Sequence, residues 1–238
     1  MSTSLPALIL AAGRGERMRP LTDHTPKPLL KVQGKALIEW HLEALARDGV
    51  QDVVINTAYL EEQFQPALGD GSRWGLRIHY SLEGRDHGGA LETAGGMAKA
   101  LPLLGDAFWL VAGDVFVPGF RFDAQAAQAF QQGADWGRLW LVSNPAHNPE
   151  GDFALTPEGR VHLKSAAPAS AQALTYSTIG LFRPNMVAHL PLGEKAALRP
   201  CLERAIDAGK LSGQRHEGLW VDVGTPQRLA ELNNGHSA

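Results

Sequence analysis

The chain has 238 residues, 44% of them hydrophobic and 20% charged, with a formal net charge of −3. That is enough for one large domain or two small ones with a substantial core, and the composition is ordinary for a globular protein. The weak negative charge supplies no global field for nucleic acid or an anionic membrane, so any bound anion must be held by a local cluster.

Residues 5–11 are short and apolar and stop at small residues, as a buried strand does. The same run has no basic region before it, which makes it a poor signal peptide. Residues 35–48 carry Leu37, Ile38, Leu42, Leu45 and Ala46 at helical spacing, and Gly49 follows as a stop. A strand over 50–57, a short helix around 60–68, a strand over 74–81 and a helix over 92–104 come next. Residues 107–114 form a fourth buried strand ending in an acid, and 123–132 a further helix. The second half changes character, with strand-like segments at 137–144, 151–156, 159–165 and 173–182 joined by polar turns. Helical patterns return at 184–190 and 196–208, two short strands lie within 211–224, and a last helix begins near 226. Cys201 is the single cysteine, which excludes an internal disulfide and fits a reducing, cytoplasmic setting. No apolar stretch reaches the roughly 18 to 20 residues that a bilayer span requires.

Alternating strands and helices predict an α/β, Rossmann-like sheet, mixed but predominantly parallel, sandwiched by helices, with a small antiparallel addition in the C-terminal half. No long Pro-, Gly- or Ser-rich linker divides the chain. Residues 1–238 therefore read as a single domain, with a nucleotide-binding part over about 1–135 and a second part over about 136–238. Ligands of such sheets sit beyond the carboxyl ends of the strands. The loop after the first strand and Asp114 after the fourth fall on that same rim.

The loop reads LAAGRGERMRPLTDHTPKPL over residues 10–29. Glycines let a backbone turn sharply and aim several N–H groups at one anion. The dinucleotide fingerprint fails, because Met18 stands where its third glycine belongs, and the GxxxxGK[ST] pattern is absent. Arg14, Arg17 and Arg19 lie in the loop and Lys27 follows, offering bidentate and point-charge contacts to phosphate. Pro20, Pro26 and Pro28 limit the backbone's freedom. Read from these residues alone, a solvated basic loop remains the alternative. Read alone, an aspartate after a strand such as Asp114 is more often a helix cap or turn former. Asp222 lies inside WVDVG, and a carboxylate buried between apolar residues needs a partner, for which a magnesium ion is a candidate. The nine histidines are scattered and give no zinc spacing.

These motifs together resemble the sugar-1-phosphate nucleotidyltransferases. The resemblance rests on LAAGRGERMRPLT with PKPL, ETAGG at 92–96, GD at 113–114 and WVDVGT at 220–225, and it covers nearly the whole chain. Within the family, the stretches IEWHLEALARDGV, LGDGSRWGL, LETAGG, GDF and GLWVDVGT are most similar to the branch that couples UTP to N-acetylmuramate α-1-phosphate in cell-wall recycling. The resemblance implies the nucleotide-diphospho-sugar transferase fold, and UTP or another nucleoside triphosphate plus a sugar-1-phosphate as partners. It implies no nucleic acid and no membrane, and it is silent on oligomeric state. It also implies Mg²⁺ held by Asp114 and Asp222.

By the same correspondence Arg17, Lys27 and Asp114 are catalytic, with Arg17 and the N–H groups around Gly13 to Glu16 on the β- and γ-phosphates. Ala11, Ala12, Gly13, Gly15, Glu16, Glu83, Gly95 and Ala112 complete the nucleotide site. Asn144, Asp152, Thr175 and Thr178 are the sugar-binding candidates. Arg14 and Arg19 rank behind Arg17. Residues 84–90 carry extra polar and glycine residues and read as an exposed surface excursion beside the nucleotide pocket. GTP with mannose-1-phosphate, and glucose-1-phosphate as acceptor, are alternatives within the chemistry. A non-catalytic nucleotide-sugar-binding subunit is the alternative outside it, and should have lost Arg17, Lys27, Asp114 or Asp222.

Overall fold

The structure is a computed structural model that describes residues 4–235. Its first half runs β1 (Ala7–Leu10), β2 (Lys31–Val32), β3 (Lys35–Ala36), α1 (Leu37–Arg47), β4 (Asp52–Thr57), α2 (Phe64–Leu68) and β5 (Arg77–Leu82). Then follow α3 (Glu83–His87), α4 (Glu92–Ala100), β6 (Phe108–Ala112), β7 (Val115–Phe116) and α5 (Ala124–Gln132). The second half holds β8 (Gly137–Val142), β9 (Phe153–Leu155), β10 (Val161–His162), β11 (Gln172–Phe182), α6 (Leu198–Asp207), β12 (Leu211–Arg215), β13 (Val221–Asp222) and α7 (Pro226–Asn233).

β5, β4, β1 and β6 pair in parallel, as do β8 and β12. β11 runs antiparallel between β6 and β8, and β9 and β10 extend its first residues. Seven strands of the nine-stranded sheet thus share one direction, and β11 and the short β10 run against them. The chain moves outward from β1 to β4 and β5, then returns to β6 on the other side of β1. That reversal opens a crevice at the carboxyl ends of β1 and β6, where open α/β sheets bind ligands.

Successive side chains of a strand face opposite sides, and the central strands use both sides. Ile9, Val53, Ile55, Trp109 and Val111 pack against α1 and α5, while Leu8, Val54, Phe108 and Leu110 pack against α4 and α6. This explains the unbroken apolar runs in the sequence. A third, smaller core joins Met18, Val32, Leu37, Phe116, Val223, Leu229 and Leu232. It anchors the loop after β1 to the C-terminal helix through the fully buried Met18.

Two segments differ from expectation. Residues 184–190 form a single 3₁₀ turn, Pro184–Met186, and not a helix. Met186 and Val187 are buried as the apolar spacing suggested, but Pro184 and Pro191 confine the segment to less than two helical turns. Residues 84–90 are in part helical, since α3 covers Glu83–His87 and ends on the left-handed Gly88.

Candidate active site

The loop after β1 is fixed at both ends and bare at its apex. Gly15 has φ 64°, and a Cβ there would lie 3.1 Å from both Lys27 Cβ and Thr22 Cγ2. The Thr22 hydroxyl donates to the Gly15 carbonyl at 2.9 Å. A residue larger than glycine would strain the turn and push Lys27 aside. Gly13 is exposed, with open space where a side chain would stand. Arg14 lies over the Tyr59 ring and Arg19 bonds Asp23 at 2.6 Å, so both are engaged away from the apex. Arg17 is exposed and makes no side-chain hydrogen bond or ion pair among the described residues. Ala11, Ala12, Gly13, Gly15, Glu16, Arg17 and Lys27 all line one cleft of about 800 Å³.

β7 and β13 bring the two predicted acids together. Asp222 stands opposite Val115 in the pair, and Val223 N–H donates to the Asp114 carbonyl at 3.1 Å. Asp114 lines the cleft beside Ala112, and its Oδ2 accepts from Lys27 Nζ at 2.7 Å. Asp222 is not the unpartnered buried carboxylate that its apolar neighbours suggested. Its side chain is 22% exposed, and its Oδ2 accepts from Arg228 Nη1 at 2.9 Å. His147 Nε2 lies 3.6 Å from the same oxygen. Burial and the Arg228 charge hold this imidazole below its ordinary value, against the pull of Asp222.

The donor set fits magnesium. Asp114, in the turn that leads into β7 and lining the cleft, and Asp222, on the paired β13 and outside the cleft's lining, supply the hard oxygens that Mg²⁺ takes alongside phosphates and water. No group of three or more His, Cys, Asp or Glu side chains stands together among the described residues, so an all-protein cage for a softer ion is not offered.

Glu83 and Gly95, expected to touch the nucleotide, lie behind the cleft wall. Glu83 is fully buried, accepts from Asn56 Nδ2 at 2.7 Å and from Leu91 N–H at 2.8 Å, and burial pushes its carboxyl above the usual range. Asn56 Oδ1 in turn accepts from Ala11 N–H at 2.8 Å. This chain of contacts ties the loop after β1 to the start of α4. A Cβ on Gly95 would meet the Glu194 carbonyl at 2.4 Å, and one on Gly96 would meet Asn56 Nδ2 and Glu83 Oε1 at 2.6 Å. The glycine pair therefore serves close packing of α4, against residues 194–196 on one side and the Asn56–Glu83 contact on the other.

The second half closes the cleft. Asp152 and Thr178 line it, whereas Asn144 and Thr175 do not. Asn144 Nδ2 donates to the carbonyls of Pro149 and Ala173, and its Oδ1 accepts from the Thr175 hydroxyl at 3.0 Å. Asn148 bridges Thr175 to Asp152. These residues hold the 144–152 loop and so position Asp152, whose other oxygen accepts from Tyr176 N–H at 2.8 Å. Thr178 has φ 62° at a bulge in β11, a left-handed conformation that strains a β-branched residue.

Tyr176, within the anticipated 175–178 segment, lines the cleft, and several residues that were not anticipated join it: Asn56, Leu198, Arg199 and Leu202 line it, and His147 and Arg228 flank Asp222. An asparagine closing the apolar run VVINT was a signal for Asn56. The α6 residues look in sequence like any amphipathic helix.

The nucleotidyl transferase family model matches residues 6–237. The chain is 49% identical to the N-acetylmuramate alpha-1-phosphate uridylyltransferase of Neisseria meningitidis, over 94% of this chain and 95% of that protein. It is 36% identical to the protein of the same name from Caulobacter vibrioides, over 94% and 97% of the two chains. A crystal structure of a Bacillus anthracis protein in complex with sucrose shares the fold, with a TM-score of 0.79 at 21% identity over 98% of this chain and 96% of that one.

Proposed function

The chain belongs to the nucleotidyl transferase family, and we propose that it joins UTP to N-acetylmuramate α-1-phosphate, forming UDP-N-acetylmuramate and pyrophosphate. The observation that carries the reading is the 49% identity to a uridylyltransferase of that name along nearly the full length of both chains. The cleft supports it, since Arg17, Lys27 and Asp114 from the first half and Asp152 and Thr178 from the second line the same cleft.

The reaction is attack by an acceptor phosphate oxygen on the α-phosphorus of the nucleotide. A new O–P bond forms, the bond to the bridging β-phosphate oxygen breaks, and pyrophosphate leaves with its electrons. The attacking oxygen is already ionised near neutral pH, so no general base is needed. The physical task is to hold two polyanions in line against their repulsion. Arg17, whose donors are uncommitted among the described residues, and the N–H groups of the Gly13–Glu16 turn hold the β- and γ-phosphates. Lys27 supplies positive charge at the reacting phosphates. A magnesium ion bound by Asp114 and Asp222 would offset the charge shared by donor and acceptor phosphates. The Ala11–Gly13 backbone, fixed by Asn56 through Glu83, borders the base. The setting is cytoplasmic, where nucleoside triphosphates are supplied; no helix among the described residues is long and apolar enough to cross a membrane.

The test is a matrix of four nucleoside triphosphates against N-acetylmuramate, N-acetylglucosamine, glucose and mannose 1-phosphates, scored by pyrophosphate release. The highest kcat/KM belongs to UTP with N-acetylmuramate 1-phosphate. A higher value for GTP with mannose 1-phosphate, or for any neutral sugar, would replace the reading.

A further inference from the structure

Among the described residues, three cationic side chains line the cleft: Arg17, Lys27 and Arg199. The first two belong to the phosphate rim. Arg199 belongs to α6, on the side of the cleft formed by Phe153, Tyr176 and Thr178, where no phosphate of the donor is required. Its side chain is 48% exposed, yet it is held in place. Nε donates to Glu203 Oε1 at 2.7 Å, Nη1 reaches the Asp152 carbonyl at 3.3 Å, and the guanidinium lies 4.5 Å over the Phe153 ring. Nη2 has no partner among the described residues. A planar cation stacked on an aromatic face, pinned at two nitrogens and open at the third, is preorganised for a planar anion.

We propose that Arg199 forms a carboxylate subsite in the acceptor half of the cleft, reading the second anion of an acid-bearing sugar-1-phosphate. The inference rests on the proposed function, since N-acetylmuramate differs from N-acetylglucosamine by an ether-linked lactyl group that ends in a carboxylate. A neutral sugar gives this guanidinium only hydroxyls. A carboxylate gives it a charge-assisted hydrogen bond in a partly desolvated cleft, and arginine is suited to such an anion. Glu203 stays on the outer side, 41% exposed, and orients Nε without filling the open nitrogen. The subsite therefore selects between acceptors that carry the same phosphate and the same pyranose ring.

The measurement is the ratio of kcat/KM for N-acetylmuramate 1-phosphate to that for N-acetylglucosamine 1-phosphate, with UTP saturating. Arg199→Gln keeps the stem over Phe153 and removes the charge; the ratio falls at least tenfold, mostly through KM of the acidic acceptor. Arg199→Lys keeps the charge and recovers part of the ratio. A second measurement needs no variant. The lactyl carboxamide of the acceptor has a kcat/KM about tenfold below that of the carboxylate with the wild-type enzyme, and this gap closes in Arg199→Gln. A wild-type enzyme that turns over N-acetylmuramate 1-phosphate while Arg199→Gln leaves the ratio within twofold overturns the subsite alone. Equal wild-type rates with carboxylate and carboxamide overturn it as well. A wild-type enzyme that makes no UDP-N-acetylmuramate refutes the underlying reading, and the subsite with it.

Discussion

Lys27 Nζ donates to Asp114 Oδ2 at 2.7 Å, and this contact joins the loop after β1 to the end of β6 across 87 residues of sequence. The lysine side chain is 8% exposed and the aspartate 39%. A pair that open on one side is screened and adds little to folding stability. Its position in the proposed phosphate site gives it a different value, because there each partner is a charge that the substrates can take over. Lys27→Ala should cut kcat by about a hundredfold or more, the scale of removing a transition-state donor, with a small change in melting temperature. Pyrophosphate release and a thermal melt on the same preparation check this. A variant with more than a tenth of wild-type kcat would remove Lys27 from the reacting phosphates.

Asp222→Asn tests the metal assignment. The amide keeps the shape of the side chain and an oxygen for Arg228, which also holds the Asp222 carbonyl at 3.1 Å. Folding should survive while a hard anionic ligand is lost. The Mg²⁺ concentration at half-maximal activity should rise about tenfold or more, and Asp114→Asn should behave likewise. An unchanged Mg²⁺ titration in either variant would take that aspartate out of the metal site.

Glu83 accepts two hydrogen bonds, one at each carboxylate oxygen, from Asn56 Nδ2 and Leu91 N–H. Glu83→Gln turns one acceptor into a donor that faces another donor. The cost should be about 1–3 kcal/mol of folding stability, as for a buried polar group left unpaired. The pH dependence carries a sign as well. Burial raises this carboxyl in the folded state, so the folded chain holds the proton to higher pH than the unfolded chain. Its stabilising contribution is full below the unfolded value and declines as pH rises through the folded one. Urea midpoints over that range should fall less steeply for the glutamine variant. Equal slopes would mean that Glu83 takes up its proton at the same pH in the folded and unfolded chain.

The parallel strands were legible because strands buried on both faces read as unbroken apolar runs, and glycine and proline mark their ends. The loop was legible because its chemistry is consecutive: Gly13, Gly15, Arg17 and Lys27 lie within fifteen residues. Asn56 and Glu83 act through partners 45 and 27 residues apart, so sequence indicated polar residues at strand ends without saying what they touch. The sugar side was harder still. Asn144 and Thr175 have the right chemistry for a hydroxyl, but they spend it on each other and on backbone carbonyls. Arg199 and Leu202, which do face the cleft, sit on a helix whose apolar stripe reads simply as core.

Thr178 is held at φ 62° where β11 bulges, and it lines the cleft. A β-branched residue in this region stores roughly 1–3 kcal/mol, and glycine would be free of it at about 0.5–1 kcal/mol of chain entropy. Thr178→Gly should therefore raise stability by about 1 kcal/mol, or about 2–4 °C in a chain of this size. The same change strips a hydroxyl and a methyl from the proposed acceptor side, so KM for the sugar-1-phosphate should rise while KM for the nucleotide holds. A lower melting temperature would show that the side chain contributes more than its backbone costs.

His41 gives the clearest dependence on acid. It lies on α1, is 2% exposed, and burial lowers its imidazole from the ordinary 6.5 to about 4. The backbone of Val115 and the charge of Asp114 favour the protonated form but do not offset the burial. Between those two values the unfolded chain binds a proton that the folded chain refuses. Stability is thus fully present above pH 6.5 and is lost as pH falls towards 4, by roughly 3 kcal/mol for this group alone. His147, His189 and His216 are also lowered and slope the same way, while Glu83 slopes the opposite way, so the wild-type curve combines several groups. Subtracting the curve for His41→Gln isolates the one residue. Urea unfolding at half-unit steps from pH 7 to 4 should show the variant losing less stability than wild type over that window. Parallel curves would mean that His41 takes up its proton in the folded chain near its ordinary value, despite its burial beneath β7.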